Sequence, residues 1–95
     1  MGNNEGTVAD TLKQRGSVYG KYEDVCRTRD AVMSVLNSHH YIVNGEDMNP
    51  VDKIAIGDLV LKLVRGVGAP NYTDSWHDLA GYATLIEEMK NEANS

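Results

Sequence analysis

Asp74 and Asp78 stand four residues apart in Asp74-Ser75-Trp76-His77-Asp78-Leu79-Ala80-Gly81-Tyr82, a stretch that reads as the start of a helix, so the two carboxylates share one face. Such a pair offers oxygen ligands to a divalent cation. A magnesium ion needs only one or two protein carboxylates when waters and substrate phosphates complete its shell. Just upstream, Asp58, Lys62 and Arg65 interrupt an apolar segment, and an arginine there can hold a phosphate through two parallel hydrogen bonds. Two neighbouring helices that present both signs of charge to one cleft suit a phosphorylated ligand or a metal-phosphate complex. The same spacing has a plainer reading, in which Asp74 stabilises the positive end of the helix dipole and Asp78 pairs with Lys62 or Arg65.

A second polar group lies earlier in the chain. Arg15 and Lys21 flank Tyr19 and Tyr22 around Gly16 and Gly20, a turn composition that can bring backbone N–H groups, cations and an aromatic face to one nucleotide-sized ligand. An ordinary corner between helices fits equally well. His39 and His40 are adjacent, so their rings diverge on a helix, and no cysteine or third histidine at ligand spacing accompanies them to make a zinc site. His77 lies between the two aspartates but points away from both, by about 100° from Asp78 and about 60° from Asp74. The sequence holds no Walker-type phosphate loop, no G-x-S-x-G motif and no Cys–His arrangement. Nucleophilic catalysis has no support, and no residue is assigned a catalytic role.

The elements that must position these groups are helical. Thr7 is placed to cap a short helix to about Gln14, which Gly16 breaks before a Val18-Tyr19-Gly20 corner. From Tyr22 to about His39, Tyr22, Val25, Cys26, Val32, Met33 and Leu36 recur at steps of three and four, with Arg27 and Asp30 on the wet side. Tyr41 to Met48 reads as a turn or brief irregular connection, with a hairpin the less economical alternative. Asn49-Pro50 supplies an N-cap and a proline at the first helical position, opening a helix to about Arg65 in which Gly57 allows another helix to approach. Gly66-Val67-Gly68-Ala69-Pro70 is expected to end it. The last helix runs from about Thr73 to Asn91. Trp76, Leu79, Ala80, Ala83 and Ile86 form one apolar stripe on it, while Tyr82, Leu85 and Met89 continue the line begun by Asp74 and Asp78. That second stripe could bury against a partner chain.

Composition narrows the class. Ninety-five residues make one domain, frayed at about 1–6 and 92–95, and a chain of this size buries only about 60–65% of its unfolded surface. With 41% hydrophobic residues, no Phe and one Trp, the core must come from Val, Leu, Ile, Ala and Tyr, and self-association is the natural way to bury more. The expected architecture is all-α: a compact bundle of three long helices plus a short N-terminal helix, oligomeric. A net charge of −5 argues against general binding to nucleic acid or anionic membrane. The lone Cys26 excludes an internal disulfide framework and suits a reducing, cytoplasmic setting. No apolar run approaches the roughly 18–20 residues that span a bilayer, and the N-terminus does not resemble a signal peptide.

The order Arg15-Gly16-Ser17-Val18-Tyr19-Gly20, Lys62-Leu63-Val64-Arg65, and Asp74 through Tyr82 resembles a family of small phage and prophage proteins, over about Arg15 to Met89. The layout is also similar to phage nucleotide-modification-associated domains and, more distantly, to the all-α MazG-like nucleoside triphosphate pyrophosphatases. This resemblance implies a helical oligomer with nucleotide-sized clefts, in the cytoplasm of a bacterial host. The MazG-like enzymes hold magnesium with a Glu-x-x-Glu pair on one helix and a Glu-x-x-Asp pair on the next. Neither spacing occurs at the matching helices here, where Glu23-Asp24 and Asp58 are the only acidic residues placed to replace the first pair. Polarising a phosphate and generating a hydroxide between two cations takes three or four carboxylates. The leading expectation is therefore a binder, without a cofactor, that sequesters a nucleotide or a cyclic or ADP-ribose-type defence signal. Arg15, Lys62 and Arg65 would contact phosphates, Tyr19 or Tyr22 would stack on the base, Asp74 or Asp78 would accept hydrogen bonds from ribose or base, and Lys21 and Tyr82 complete the ligand-binding set. The rivals are a magnesium-dependent pyrophosphohydrolase and an inhibitor of a host protein.

Overall fold

The computed structural model describes residues 8–9 and 20–95, and among these it is all-helical. Three long helices follow one another: α1 (Tyr22–Asn44), α2 (Pro50–Gly68) and α3 (Thr73–Asn94). Val8 and Ala9 are helical; the rest of the expected N-terminal helix, with Arg15 and Tyr19, lies outside the described residues.

α1 outruns its expected end by five residues. The β-prone run Tyr41 to Asn44 stays helical because Gly45, at φ 76°, adopts the left-handed conformation that closes a helix, with its N–H donating to the Tyr41 carbonyl. The connection behind it is pinned by two side chains of α1. Asn37 accepts from the Met48 N–H at 3.0 Å and donates to Asp47 at 3.4 Å, and His40 Nδ1 donates to the Glu46 carbonyl at 2.8 Å. α2 then opens as its sequence dictates, the Asn49 side chain accepting from the Val51 N–H at 2.8 Å with Pro50 in the first turn. It does not end at Arg65. Gly66 is a buried position inside the helix, because the six-membered ring of Trp76 on α3 rests on it: a Cβ there would lie 2.9–3.0 Å from three ring carbons. The Trp76 indole N–H donates to the Pro70 carbonyl at 3.1 Å, which fixes the ring and closes the short α2–α3 connection.

α2 lies between its neighbours and runs antiparallel to both. On one side Arg29 of α1 meets Gly57. On the other Lys62 meets Asp78, and Asp52 in the first turn of α2 holds Lys90 near the end of α3 through two 2.8 Å contacts. α1 and α3 do not pack on each other, so the expected compact bundle is an open row of three helices. The core is correspondingly thin: among the described residues Val25, Met48 and Val60 are the buried apolar side chains, with Val60 alone essentially sealed. No described helix is long and apolar enough to cross a membrane.

Candidate functional site

The residues expected to carry chemistry fall in three places. Lys21 and Tyr22 are exposed at the start of α1, where the Lys21 carbonyl accepts the Val25 N–H at 3.1 Å. Arg65 is half-buried in the last turns of α2, and Asp74 is exposed in the first turn of α3. Lys62 and Asp78 meet between α2 and α3, and Tyr82 lies one turn beyond Asp78 on α3.

That meeting brings both signs of charge together, and they satisfy each other. Lys62 Nζ lies 3.0 Å from an Asp78 carboxylate oxygen, with 18% of the lysine side chain and 45% of the aspartate side chain exposed. A lysine so committed has little charge left for a phosphate. Beside the pair, one flank of α3 carries an open depression of about 600 Å³ lined by His77, Asp78, Gly81, Tyr82, Thr84 and Leu85. Its chemistry is an aromatic and aliphatic wall with a carboxylate rim. That suits a planar ring with hydrogen-bond donors better than a phosphate.

The carboxylates do not assemble into a larger set. Glu23 of α1 is paired with Arg27 at 2.6 Å on the exposed face, and α1 does not touch α3, where Asp74 and Asp78 lie. Among the described residues no three His, Cys, Asp or Glu side chains come close enough together to hold one metal ion.

A different pair of cations lies between α1 and α2. Arg29 on α1 and Lys53 on α2 line a groove of about 410 Å³ between those helices, together with Asp30, Met33, Ser34, Asn37, Ile54 and Gly57. No ion pair among the described residues engages either one. The Arg29 guanidinium lies against the backbone of Gly57, where a Cβ would come within 2.9 Å of Nη2. The missing side chain is therefore what admits the guanidinium to the groove. Gly57 does allow a close approach, as its place in α2 suggests, but what approaches is a cation and not a neighbouring backbone. The sequence carried a signal for it: Arg29 is four residues after Val25 and four before Met33, so it occupies the inner stripe of α1 where an apolar residue is the norm.

A family model matches residues 7–90, nearly the whole chain and all of α1 and α2. The chain belongs to the family described as domain of unknown function DUF6378. The matched span includes every residue of the groove and of the α3 depression, so both are features of the domain proper. No curated protein and no solved structure matches the chain.

Proposed function

We propose that the chain binds a small phosphate-bearing molecule of the nucleotide class and holds it without converting it, with the phosphate in the groove between α1 and α2. The observation that carries this reading is that Arg29 and Lys53 line one groove and that no ion pair among the described residues engages either. A half-buried guanidinium and an ammonium on facing helices form a two-point anion site. Met33 and Ile54 supply the apolar wall against which a sugar or base would rest, and Ser34 and Asp30 supply a hydroxyl and a carboxylate at its edge. Charge-assisted contacts contribute about 1.5–3 kcal/mol each, enough in combination for a binder if the groove is preorganised. Sequestration suits these groups better than hydrolysis, because the groove offers a single carboxylate where two-cation hydrolysis takes three or four.

A second reading places a nucleoside on the α3 depression, with Tyr82 against the base and Asp78 accepting from it; the volume and the apolar wall there favour this. One experiment separates the two. The protein is incubated with a pool of nucleoside mono-, di- and triphosphates, cyclic nucleotides and ADP-ribose, ultrafiltered, and both fractions are analysed by mass spectrometry. The expected result is one phosphate-bearing compound recovered unchanged from the protein, its retention lost in Arg29→Gln and kept in Tyr82→Ala. Loss in Tyr82→Ala with retention in Arg29→Gln moves the site to α3. Hydrolysed products in the filtrate, or no retention at all, overturn the proposal.

A further inference from the structure

Arg29 and Asp30 are consecutive on α1, so one helical step turns the carboxylate about 100° away from the guanidinium. Arg29 is half-buried against Gly57 at the floor of the groove between α1 and α2, and Asp30 lines the same groove as an exposed residue at its rim. Lys53, exposed on α2, is the other cation there. The remaining cations among the described residues stand elsewhere. Arg27, Lys62 and Lys90 are paired with Glu23, Asp78 and Asp52, and neither Lys21 nor Arg65 lines the groove. Asn37, at one end, is committed to the α1–α2 connection, its amide oxygen accepting from the Met48 N–H and its amide nitrogen donating to Asp47.

We infer that the ligand of this groove is a ribonucleoside 5′-monophosphate, with its single phosphate on Arg29 and Lys53 and its free 2′,3′-diol on Asp30. The inference rests on the phosphate site proposed above and adds to it the number of phosphates and the kind of sugar. Charge decides the number. Two cations against one carboxylate leave the described groove with a balance of one positive charge. A phosphate monoester carries about −1.5 to −2 at pH 7, which a guanidinium and an ammonium can take. A second and a third phosphate would find no further described cation in the groove and would crowd Asp30, in a chain whose net charge is already −5. Hydrogen bonding decides the sugar. An ionised carboxylate only accepts, so at the rim it calls for donors, and the two adjacent hydroxyls of a ribose offer one to each of its oxygens. The same carboxylate repels a phosphate placed on either hydroxyl, which disfavours 2′- and 3′-phosphates and the cyclic phosphates that consume the diol. Dinucleotide sites divide the work in this way, with a carboxylate on the ribose hydroxyl and a cation where that hydroxyl is phosphorylated. Size agrees. The groove, at about 410 Å³, lies near the lower end of the roughly 300–1,000 Å³ of small-molecule sites, which suits one mononucleotide better than two linked ones.

The test is competitive retention. The wild-type chain is incubated with equimolar ribonucleoside 5′-monophosphates, their 2′-deoxy forms, the 5′-triphosphates and the 3′,5′-cyclic phosphates, with the common bases in each class. The mixture is ultrafiltered and both fractions are quantified by mass spectrometry. A ribonucleoside monophosphate is expected to be retained about tenfold or more over its 2′-deoxy form and over its triphosphate, the value of one charge-assisted hydrogen bond. Asp30→Ala, at an exposed helical position and with helix content checked by circular dichroism, should bring the ribose-to-deoxyribose ratio close to one and raise retention of the triphosphate. Arg29→Gln should abolish retention of every class. Retention that depends on Arg29 but does not distinguish ribose from deoxyribose, or that favours the triphosphate, overturns this inference and leaves the phosphate site standing. So does a ribose preference that persists in Asp30→Ala. Retention of no phosphate compound, or retention indifferent to Arg29→Gln, overturns the phosphate site and the inference with it.

Discussion

Two glycines of α2 should respond oppositely to the same substitution. Replacing a helical glycine by alanine stabilises the helix by up to about 1 kcal/mol, since glycine loses more backbone freedom on folding. At Gly57 the new methyl would come within 2.9 Å of Arg29 Nη2, the far end of a flexible side chain that can swing outward at little cost. Gly57→Ala should therefore keep most of that gain. At Gly66 it would lie 2.9–3.0 Å from three carbons of the Trp76 ring, which the 3.1 Å bond to Pro70 holds in place. Overpacking of that kind costs about 1–3 kcal/mol, which exceeds the gain. Each kcal/mol moves the melting temperature by about 4–8 °C in a domain of this size. Thermal melts followed by circular dichroism, at one fixed protein concentration, should show a rise of a few degrees for Gly57→Ala and a fall for Gly66→Ala. Trp76→Leu should restore much of the loss in the Gly66→Ala background, a coupling that a double-mutant cycle reads directly. Shifts of the same sign at both glycines would refute the reasoning. Gly57→Ala has a second readout. By pushing the guanidinium out of the groove it should weaken nucleotide retention while the fold gains stability, and unchanged retention would remove Arg29 from the site.

Asp78→Asn should cost about 1–2 kcal/mol, less than a fully buried pair because Asp78 is nearly half exposed, since it leaves the 18%-exposed Lys62 without a counter-charge. Lys62→Met, which keeps the aliphatic stem and leaves Asp78 to water, should cost less than half as much; equal losses in denaturant melts would show that the cost is loss of the pair itself and not the stranded Lys62 charge. Asn37→Ala removes the acceptor of the Met48 N–H, next to one of the three buried apolar side chains, and should lower stability by about 1–3 kcal/mol. A change under about 0.5 kcal/mol, the size of an ordinary surface substitution, would mean that burial of Met48 holds the α1–α2 connection without the amide.

The helices themselves were legible because their signals are local: the three-and-four recurrence from Tyr22 to Leu36, the Asn49-Pro50 opening, and the Thr73 start. Their ends were less so. Tyr41 to Asn44 has a strand-like composition, but Asn37 and His40 reach forward to tie down residues 46–48, and that tertiary tether overrides the local preference. Gly66 looked like a terminator because a glycine near Gly68 and Pro70 usually is one; its actual role, a seat for Trp76, depends on the α2–α3 register. The Lys62–Asp78 pair could be anticipated as one of two outcomes from spacing. The Arg29 groove could not, because one cation on an inner stripe reads as an anomaly until the opposing helix is seen to put Gly57 and Lys53 against it.

An open row of helices also explains why the groove and an exposed apolar outer face lie on the same element, α1. A closed bundle would bury the second side of α1 within the chain, and the groove beside it would become core. With α3 on the far side of α2, α1 keeps two open faces, and Ser34 sits on the border, lining both the cationic groove and a shallow depression on the outer side. The thin core follows from the same architecture, since α1 and α3 each pack on α2 alone and leave apolar side chains such as Val35, Ile42 and Leu85 exposed.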